Sequence, residues 1–482
     1  MKQFEEKYLA AVDLGSSKIG LCVAHIQEEA VHIVYYRETP SAGILSSAIY
    51  IPMQTAREVR KAVSEAEDEL MVKISGVVVG LPRNDIVQVT ASALRKRAEP
   101  DEYVSEEEIR AIKEEALETY PLSDPEHQAI YGAVAQSFTL EEGMRLTERE
   151  IVGTLTPSIE GEFKVFIGRR QAVQAIDKMF RGTGVEVLRK YFLPEVMAKA
   201  VLNKEEMKGG VALVDIGAGV TSVAVYRGGV LRYYAAIPFG GRTVTGDIES
   251  ECSLEDELAE KVKIRFGVCP PERLGPNGDK VLQIRLSEPY REIPVRYISE
   301  VITARYREII EAVLYHIQES GLQNALRGGI VLTGGAAAQS GLEAMLRDIS
   351  GYSVRKGYPK PLFSSPAGSA VMSPSATAAV GMILAARDEG IPDCAGERRE
   401  SAEVKEAAPG PEEPQEEPAG PAEETPEPEK ANPSPGRSGR RGRRKDVDDP
   451  AQGTLDLVWT KVEDVFLKIY DYMNKNEGNN LS

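Results

Sequence analysis

The sequence has no apolar run of the ~18–20 residues that a helix needs to cross a bilayer. A helix-spanning membrane protein is therefore excluded, and any membrane contact is expected to be peripheral. Cysteine is scarce: Cys22, Cys252, Cys269 and Cys394 fall at no metal-ligand spacing and read as buried free thiols of a reducing compartment. Histidine is equally sparse, and His25 and His32 sit alone on strand-like runs with no partner cluster for catalysis. Positive charge is in deficit. The net charge of −17 argues against general nucleic-acid binding, which needs a basic face, so no nucleic-acid partner is expected. Met1–Lys7 leads directly into a strand pattern without a signal-peptide core, which makes a cytoplasmic protein the expectation.

What is present is enough apolar material for a large core, 42% of 482 residues, with about three domains as a soft prior. The organising stretch is Val211-Ala212-Leu213-Val214-Asp215-Ile216-Gly217-Ala218-Gly219-Val220-Thr221-Ser222. A buried strand ends on an Asp, a Gly-x-Gly turn follows, and Val223–Tyr226 resumes the strand pattern. That is a hairpin rather than the strand-to-helix turn of a P-loop. Glycine lets a backbone approach a ligand closely, and its free N–H groups can cradle phosphate oxygens. A carboxylate at the strand end can hold the hydrated magnesium that travels with phosphates. A twin lies near the amino end, where Leu9–Val12 leads into Asp13, Gly15, Ser16, Ser17 and Lys18. Either copy alone would be an ordinary hairpin turn. Together they suggest duplicated domains clamping one nucleotide. A third element, Gly329–Thr333 followed by Gly334, Gly335, Ala336 and Ala337, is a buried strand running into a double glycine suited to the flat face of a base or ribose.

These three motifs in this order resemble the actin superfamily of nucleotide-binding proteins. Ile237-Pro238-Phe239-Gly240-Gly241, Val244-Thr245-Gly246-Asp247-Ile248, Ala259-Glu260-Lys261-Val262-Lys263, Ala198–Leu202 and Ser373–Gly381 narrow the likeness to the FtsA family of bacterial division proteins, over residues 7–387. The resemblance implies an α/β, actin-like fold of two duplicated lobes with an inserted α+β subdomain, then a disordered tail and a C-terminal amphipathic helix. It implies ATP with Mg2+ as cofactors. Asp13 and Asp215 would hold the metal, and Gly15, Ser16, Ser17, Lys18, Gly217, Ala218, Gly219 and Thr221 would hold the phosphates. Gly241, Glu260, Lys263, Gly334, Gly335 and Ala336 would hold the nucleoside. Glu260 and Lys263 stand three apart and share a helix face, the spacing of an ordinary surface ion pair as well.

Along the chain, residues 1–83 and 167–207 are expected to form the first lobe. The stretch 84–166 is an inserted subdomain, with a helix opened by Ser105-Glu106-Glu107-Glu108, a capping-box pattern. In the family such an insertion contributes to subunit contacts in a filament; a plain packing module remains the alternative. Residues 208–248 and 327–392 form the second lobe, with 249–326 as its own subdomain. Gln54–Met71 reads as a solvated helix, Asp247–Phe266 as one long helical stretch and Ile298–Ile317 as an amphipathic helix. On that helix Arg305 and Glu308 align with the Arg and Glu that the family uses to grip the carboxy-terminal peptide of FtsZ, the tubulin-like division protein. A bidentate Arg suits an acidic peptide, although an Arg–Glu pair at this spacing is common on any helix.

Residues 393–452 are rich in Pro, Glu, Gly, Ala and Ser and cannot bury enough surface to offset their ordering entropy, so a disordered linker is predicted. It ends in a basic run from Arg437 to Lys445. Beyond it, residues 453–475 place Leu455, Val458, Trp459, Val462, Phe466, Ile469, Tyr470 and Met473 on one helical face. That face suits a membrane interface, with the basic run attracting anionic lipid at roughly 1 kcal/mol per residue. A partner groove or the chain's own domain are the alternatives. With the resemblance, the predicted place is the cytoplasmic side of the inner membrane, with the chain itself as filament partner.

The sequence departs from its relatives in two positions that bear on hydrolysis. Many carry an acidic residue where Ser222 ends the second turn, and another where Leu193 stands. A carboxylate to orient attacking water is thereby in doubt, and slow or absent turnover is expected. A sugar kinase of the superfamily would need a substrate-facing Asp base. A chaperone ATPase would need a β-rich domain after the nucleotide part. A pilus-assembly relative is the nearer alternative, against which the terminal helix argues.

Overall fold

The computed structural model describes residues 6–118, 120–284, 291–366 and 368–396. The predicted tail helix, its eight apolar residues and all but the first four residues of the predicted linker lie outside them.

The first lobe opens with a meander of β1 (Lys7–Leu14), β2 (Lys18–Gln27) and β3 (Ala30–Pro40). Helix α1 (Pro52–Leu70) and strand β4 (Gly76–Gly80) follow. Proline is the first residue of α1, where its missing N–H is no loss, and Met71 in a left-handed conformation ends it. The helix is not merely solvated: Thr55, Ala56, Val59, Ala62, Val63 and Ala66 form a stripe of small buried residues that lets it lie close on the sheet.

The chain then leaves the lobe for β5 (Val87–Lys96), α2 (Glu106–Glu118), β6 (Gln128–Leu140), β7 (Arg145–Leu146) and β8 (Ser158–Arg169). These strands form a separate four-stranded sheet in the order β5-β8-β6-β7, with a core around Ile109, Ile112, Phe138, Ile159 and Phe163. The capping box at Ser105 forms, its Oγ accepting from Glu108 N at 3.1 Å while Glu108 Oε2 accepts from Ser105 N at 3.4 Å.

The chain returns through α3 (Arg170–Arg181), β9 (Glu186–Tyr191) and α4 (Leu193–Val201). The first sheet has the order β9-β4-β1-β2-β3, with β9, β4 and β1 parallel and the meander antiparallel.

The second lobe repeats this plan. A meander of β10 (Val211–Ile216), β11 (Thr221–Arg227) and β12 (Val230–Ile237) leads into α5 (Gly241–Cys252), α6 (Asp256–Phe266) and the long α7 (Val295–Glu319). Then come β13 (Ile330–Thr333), α8 (Leu342–Ser350), β14 (Val354–Lys356) and α9 (Thr377–Asp388). Its sheet runs β14-β13-β10-β11-β12, with the same parallel and antiparallel joins. Every residue of β10 is buried, so apart from Asp215 the strand reads as continuous apolar sequence rather than as an alternation.

Three sequence expectations are corrected here. The stretch from Asp247 to Phe266 is two helices, because Ser253 at φ 47° takes the left-handed conformation that ends α5, and Asp256 and Glu257 then open α6. Residues 393–396, assigned by composition to the linker, belong to the first lobe. Cys394 N donates to Tyr8 O at 2.8 Å, and Cys394 O accepts from Ser75 N at 2.9 Å and Gly76 N at 3.1 Å. Helix α9 packs against α4 and onto β1, β2 and β4 of the first lobe's sheet rather than within the second lobe to which its sequence position assigned it, and Thr377–Ala386 are all buried, as a helix apolar on every side must be.

Candidate functional site

Asp13 and Asp215 hold equivalent places in the two sheets. Asp13 pairs with Gly20 across β1 and β2, and Asp215 pairs with Ser222 across β10 and β11. Each turn closes alike: Gly15 N donates to Lys18 O at 3.1 Å and Gly217 N to Val220 O at 2.9 Å. The turns approach closely, since a Cβ on Gly219 would come within 2.9 Å of Ser16 Oγ. Between them and the second lobe's helices opens a cleft of about 990 Å³.

The cleft wall includes Asp13, Gly15, Ser16, Ser17 and Lys18 from the first turn, and Asp215, Gly217, Ala218 and Gly219 from the second. Gly241, Glu260 and Lys263 line it from α5 and α6, and Gly334, Gly335 and Ala336 from beyond β13. Thr221 is the exception. It is wholly buried in β11, and its hydroxyl donates to Phe239 O at 2.9 Å, away from the cleft. Arg305 and Glu308 lie on α7, while their neighbour Tyr306 reaches the cleft wall.

Local bonding explains why the second turn is rigid. The first N–H groups of α5 lack helical partners; Gly241 N donates to Gly217 O at 2.9 Å and Arg242 N to Ala218 O at 2.7 Å, so helix and turn brace each other. Gly334 must be glycine: its φ is 89°, and a Cβ there would stand 2.2 Å from Asp215 Oδ1. On the wall formed by α5 and α6, Lys263 Nζ donates to Gly241 O at 2.8 Å, Thr245 Oγ1 at 2.7 Å and Glu260 Oε2 at 2.6 Å. Burial pulls the Lys263 pKa down, against the charge of Glu260.

In the first lobe, Lys18 Nζ donates to Glu38 Oε2 at 2.6 Å, and Glu38 Oε1 accepts from Tyr36 Oη and Ser375 Oγ, each at 2.7 Å. Burial alone would raise the Glu38 carboxyl, but the Lys18 and Ser375 hydrogen bonds hold it below the usual carboxylate range. Lys18 also spans the cleft, its Nζ lying 3.7 Å from where a Cβ of Gly335 would be. Leu193 is buried against Gly80.

Sequence reasoning missed Arg83. It follows Pro82 just past the end of β4, the strand parallel to β1, so its side chain emerges beside Asp13. Arg83 Nη1 donates to Asp215 Oδ2, and Nη2 donates to Asp13 Oδ1 at 3.3 Å. The three side chains are 13%, 3% and 17% exposed for Arg83, Asp215 and Asp13. Burial raises the Asp215 pKa and Arg83 opposes that rise; Arg83 itself is held above the ordinary guanidinium value by both carboxylates despite its burial. The missed signal was position: ligands gather at the carboxyl ends of parallel strands, and Arg83 is a charged residue at such an end. Half the charge of the carboxylate pair predicted for a metal is therefore already cancelled by Arg83, which a magnesium ion would have to displace to contact the same two oxygens. Among the described residues no group of three or more His, Cys, Asp or Glu gathers to hold a metal, and no helix is long and apolar enough to cross a membrane.

Comparison with known proteins agrees with the motifs. The family model for the cell division protein FtsA matches residues 212–381. The FtsA of Neisseria meningitidis serogroup B is 28% identical over 392 residues, covering 79% of this chain and 91% of that protein. The FtsA of Bacillus subtilis is 27% identical over 353 residues, covering 72% and 78%. Among solved structures, a chain of the PilM–PilN type IV pilus biogenesis complex superposes with a TM-score of 0.57 at 17% identity, covering 78% of this chain and 98% of that one. At that identity the likeness is one of fold: actin-like, α/β, in two sister lobes.

Proposed function

Starting from the chain's likeness to the FtsA cell division proteins, we propose that it is a nucleotide-switched adaptor of cell division. It binds ATP between its lobes, assembles with copies of itself, and couples FtsZ to the membrane through its tail. The observation that carries this reading is the pair of equivalent Asp–Gly turns, at Asp13–Lys18 and Asp215–Val220, facing one cleft of about 990 Å³. The backbone N–H groups of the turns other than those of Gly15 and Gly217, together with Lys18, suit the phosphates. The ribose and base are accommodated by Glu260, Lys263 and the Gly334–Ala336 backbone, where Ala336 Cβ approaches Gly241 to 3.3 Å from its would-be Cβ. A phosphate bound by both turns links the lobes, so its presence biases how they close.

The finer parts rest on the resemblance. The FtsZ peptide is assigned to the α7 surface around Arg305 and Glu308, and an anionic membrane to the face of Leu455, Trp459, Phe466 and their neighbours. The peripheral location at the cytoplasmic side of the inner membrane follows from that assignment. Ser222 and Leu193, where relatives carry carboxylates, support slow turnover or none.

Two measurements test the proposal. Titration calorimetry should detect ATP binding by the full chain; no binding up to about 1 mM, the weak end of the affinity scale, overturns the nucleotide reading. Sedimentation with anionic liposomes should recover the full chain but not a chain ending at Gly396. Equal recovery of both removes the tail from the mechanism.

A further inference from the structure

The cleft contains a cation supplied by the chain itself at the place where the family resemblance would put a metal. Arg83 contacts one carboxylate from each lobe, Asp215 through Nη1 and Asp13 through Nη2. Its backbone is fixed on both sides: Arg83 N donates to Ser47 Oγ at 3.1 Å, and Arg83 O accepts from Tyr234 Oη in the second lobe at 2.8 Å. A guanidinium has five N–H donors in a planar fork, and two are engaged here by the carboxylates. A third, Nε, is buried and has no hydrogen-bond partner in the structure.

We propose that Arg83 is the resident cation of this cleft, taking the part of a divalent metal toward Asp13 and Asp215 and presenting its remaining donors to the phosphates of the nucleotide. The proposal rests on the reading of the cleft as a nucleotide site. Its physical basis is charge and geometry. Two carboxylates facing one cleft repel each other and any phosphate. One guanidinium cancels half of that charge and binds phosphate oxygens in the same fork geometry that it offers to carboxylates. A magnesium ion sheds its water reluctantly and would have to displace a buried, hydrogen-bonded Arg to reach the same oxygens. Leaving Arg83 in place and dispensing with the metal is the less costly arrangement. Arg83 then sets the metal requirement of the site: phosphate ligands bind here with little dependence on magnesium.

The test compares the full wild-type chain with Arg83→Gln, using ATP in calorimetry with magnesium and again with EDTA in its place. Wild-type affinity should change by less than about 3-fold between the two conditions, whereas Arg83→Gln should bind at least about 10-fold more tightly with magnesium, as expected when a charge-assisted contact is replaced by a metal. A ligand-free arm is independent of nucleotide: millimolar magnesium chloride should raise the thermal midpoint of Arg83→Gln and leave the wild type unmoved. Wild-type ATP binding that collapses in EDTA, or a wild-type midpoint raised by magnesium as much as the variant's, overturns the assignment. If neither protein binds ATP, the nucleotide reading fails, and the ligand-free magnesium arm still decides for or against Arg83. Should Arg83→Gln not fold, the wild-type arms alone decide for or against the assignment.

Discussion

Arg305 holds Asp247 through two parallel hydrogen bonds, Nε to Oδ2 at 2.6 Å and Nη2 to Oδ1 at 2.9 Å, and so ties α7 to α5. Its Nη1 donates to Glu308 at 2.5 Å, so the fork that the sequence offered to an acidic peptide is already engaged within the lobe. Removing one partner of such a half-buried pair leaves the other charge poorly solvated. Arg305→Ala is expected to lower stability by about 2 kcal/mol in urea unfolding. A loss of FtsZ-peptide binding in that variant counts as a lost contact only if Asp247→Asn, destabilised by a similar route, still binds the peptide.

Glu206 is expected to contribute to acid sensitivity. Arg355 donates to it twice, Nε to Oε1 and Nη2 to Oε2, both at 2.7 Å. Burial alone would raise this carboxyl, but the Arg355 and Asn203 hydrogen bonds hold it below the usual carboxylate range. A depressed folded-state pKa means that the unfolded chain takes the proton first. The stabilisation is therefore complete above the unfolded value of about 4.3 and is lost as pH falls through the lower folded value. Glu206→Gln should cost about 1–2 kcal/mol at neutral pH and flatten the fall of the unfolding midpoint below about pH 5. An unchanged acid limb would assign the sensitivity to other carboxylates.

Two glycines on helices should respond in opposite ways to alanine. At Gly381, where α9 crosses α4, a Cβ would stand 2.3 Å from Val196 O, so Gly381→Ala must push the helices apart at a cost of about 1–3 kcal/mol. Gly246 on α5 has no heavy atom within 4 Å of its would-be Cβ, so Gly246→Ala should add about 0.5–1 kcal/mol by helix propensity. Thermal midpoints of the two variants, moving in opposite directions from the wild type, check both.

Hydrogen bonds tie the chain beyond Pro392 to the first lobe as far as Gly396, the last described residue. Besides the Cys394 bonds, Gly396 N donates to Lys73 O at 2.8 Å and Asp393 Oδ1 accepts from Tyr8 N at 2.9 Å. Each such bond contributes about 0.5–1.5 kcal/mol net. A chain cut after Pro392 is expected to melt several degrees below one cut after Gly396. Coincident melting curves would show that the segment contributes nothing to the fold.

The sequence by itself determined whatever local pattern encodes. The two Asp–Gly turns were legible because a buried strand, a carboxylate and a glycine turn are set by neighbours a few residues apart, and most of the cleft wall came with them. The capping box at Ser105–Glu108 and the duplicated strand pattern were legible for the same reason. Only the tertiary structure decided how distant charges meet. Arg83 finds Asp13 and Asp215 at separations of 70 and 132 residues, and Arg305 finds Asp247 at 58. Residues 393–396 looked like linker because composition cannot register the backbone groups waiting at Tyr8 and Ser75, and Thr221 looked like a phosphate ligand because turn chemistry does not say which way a strand residue faces. Hydrophobic periodicity is a property of adjacent residues. Ion pairs and strand edges exist only once the chain has folded and the low-dielectric interior has made each unpaired group costly.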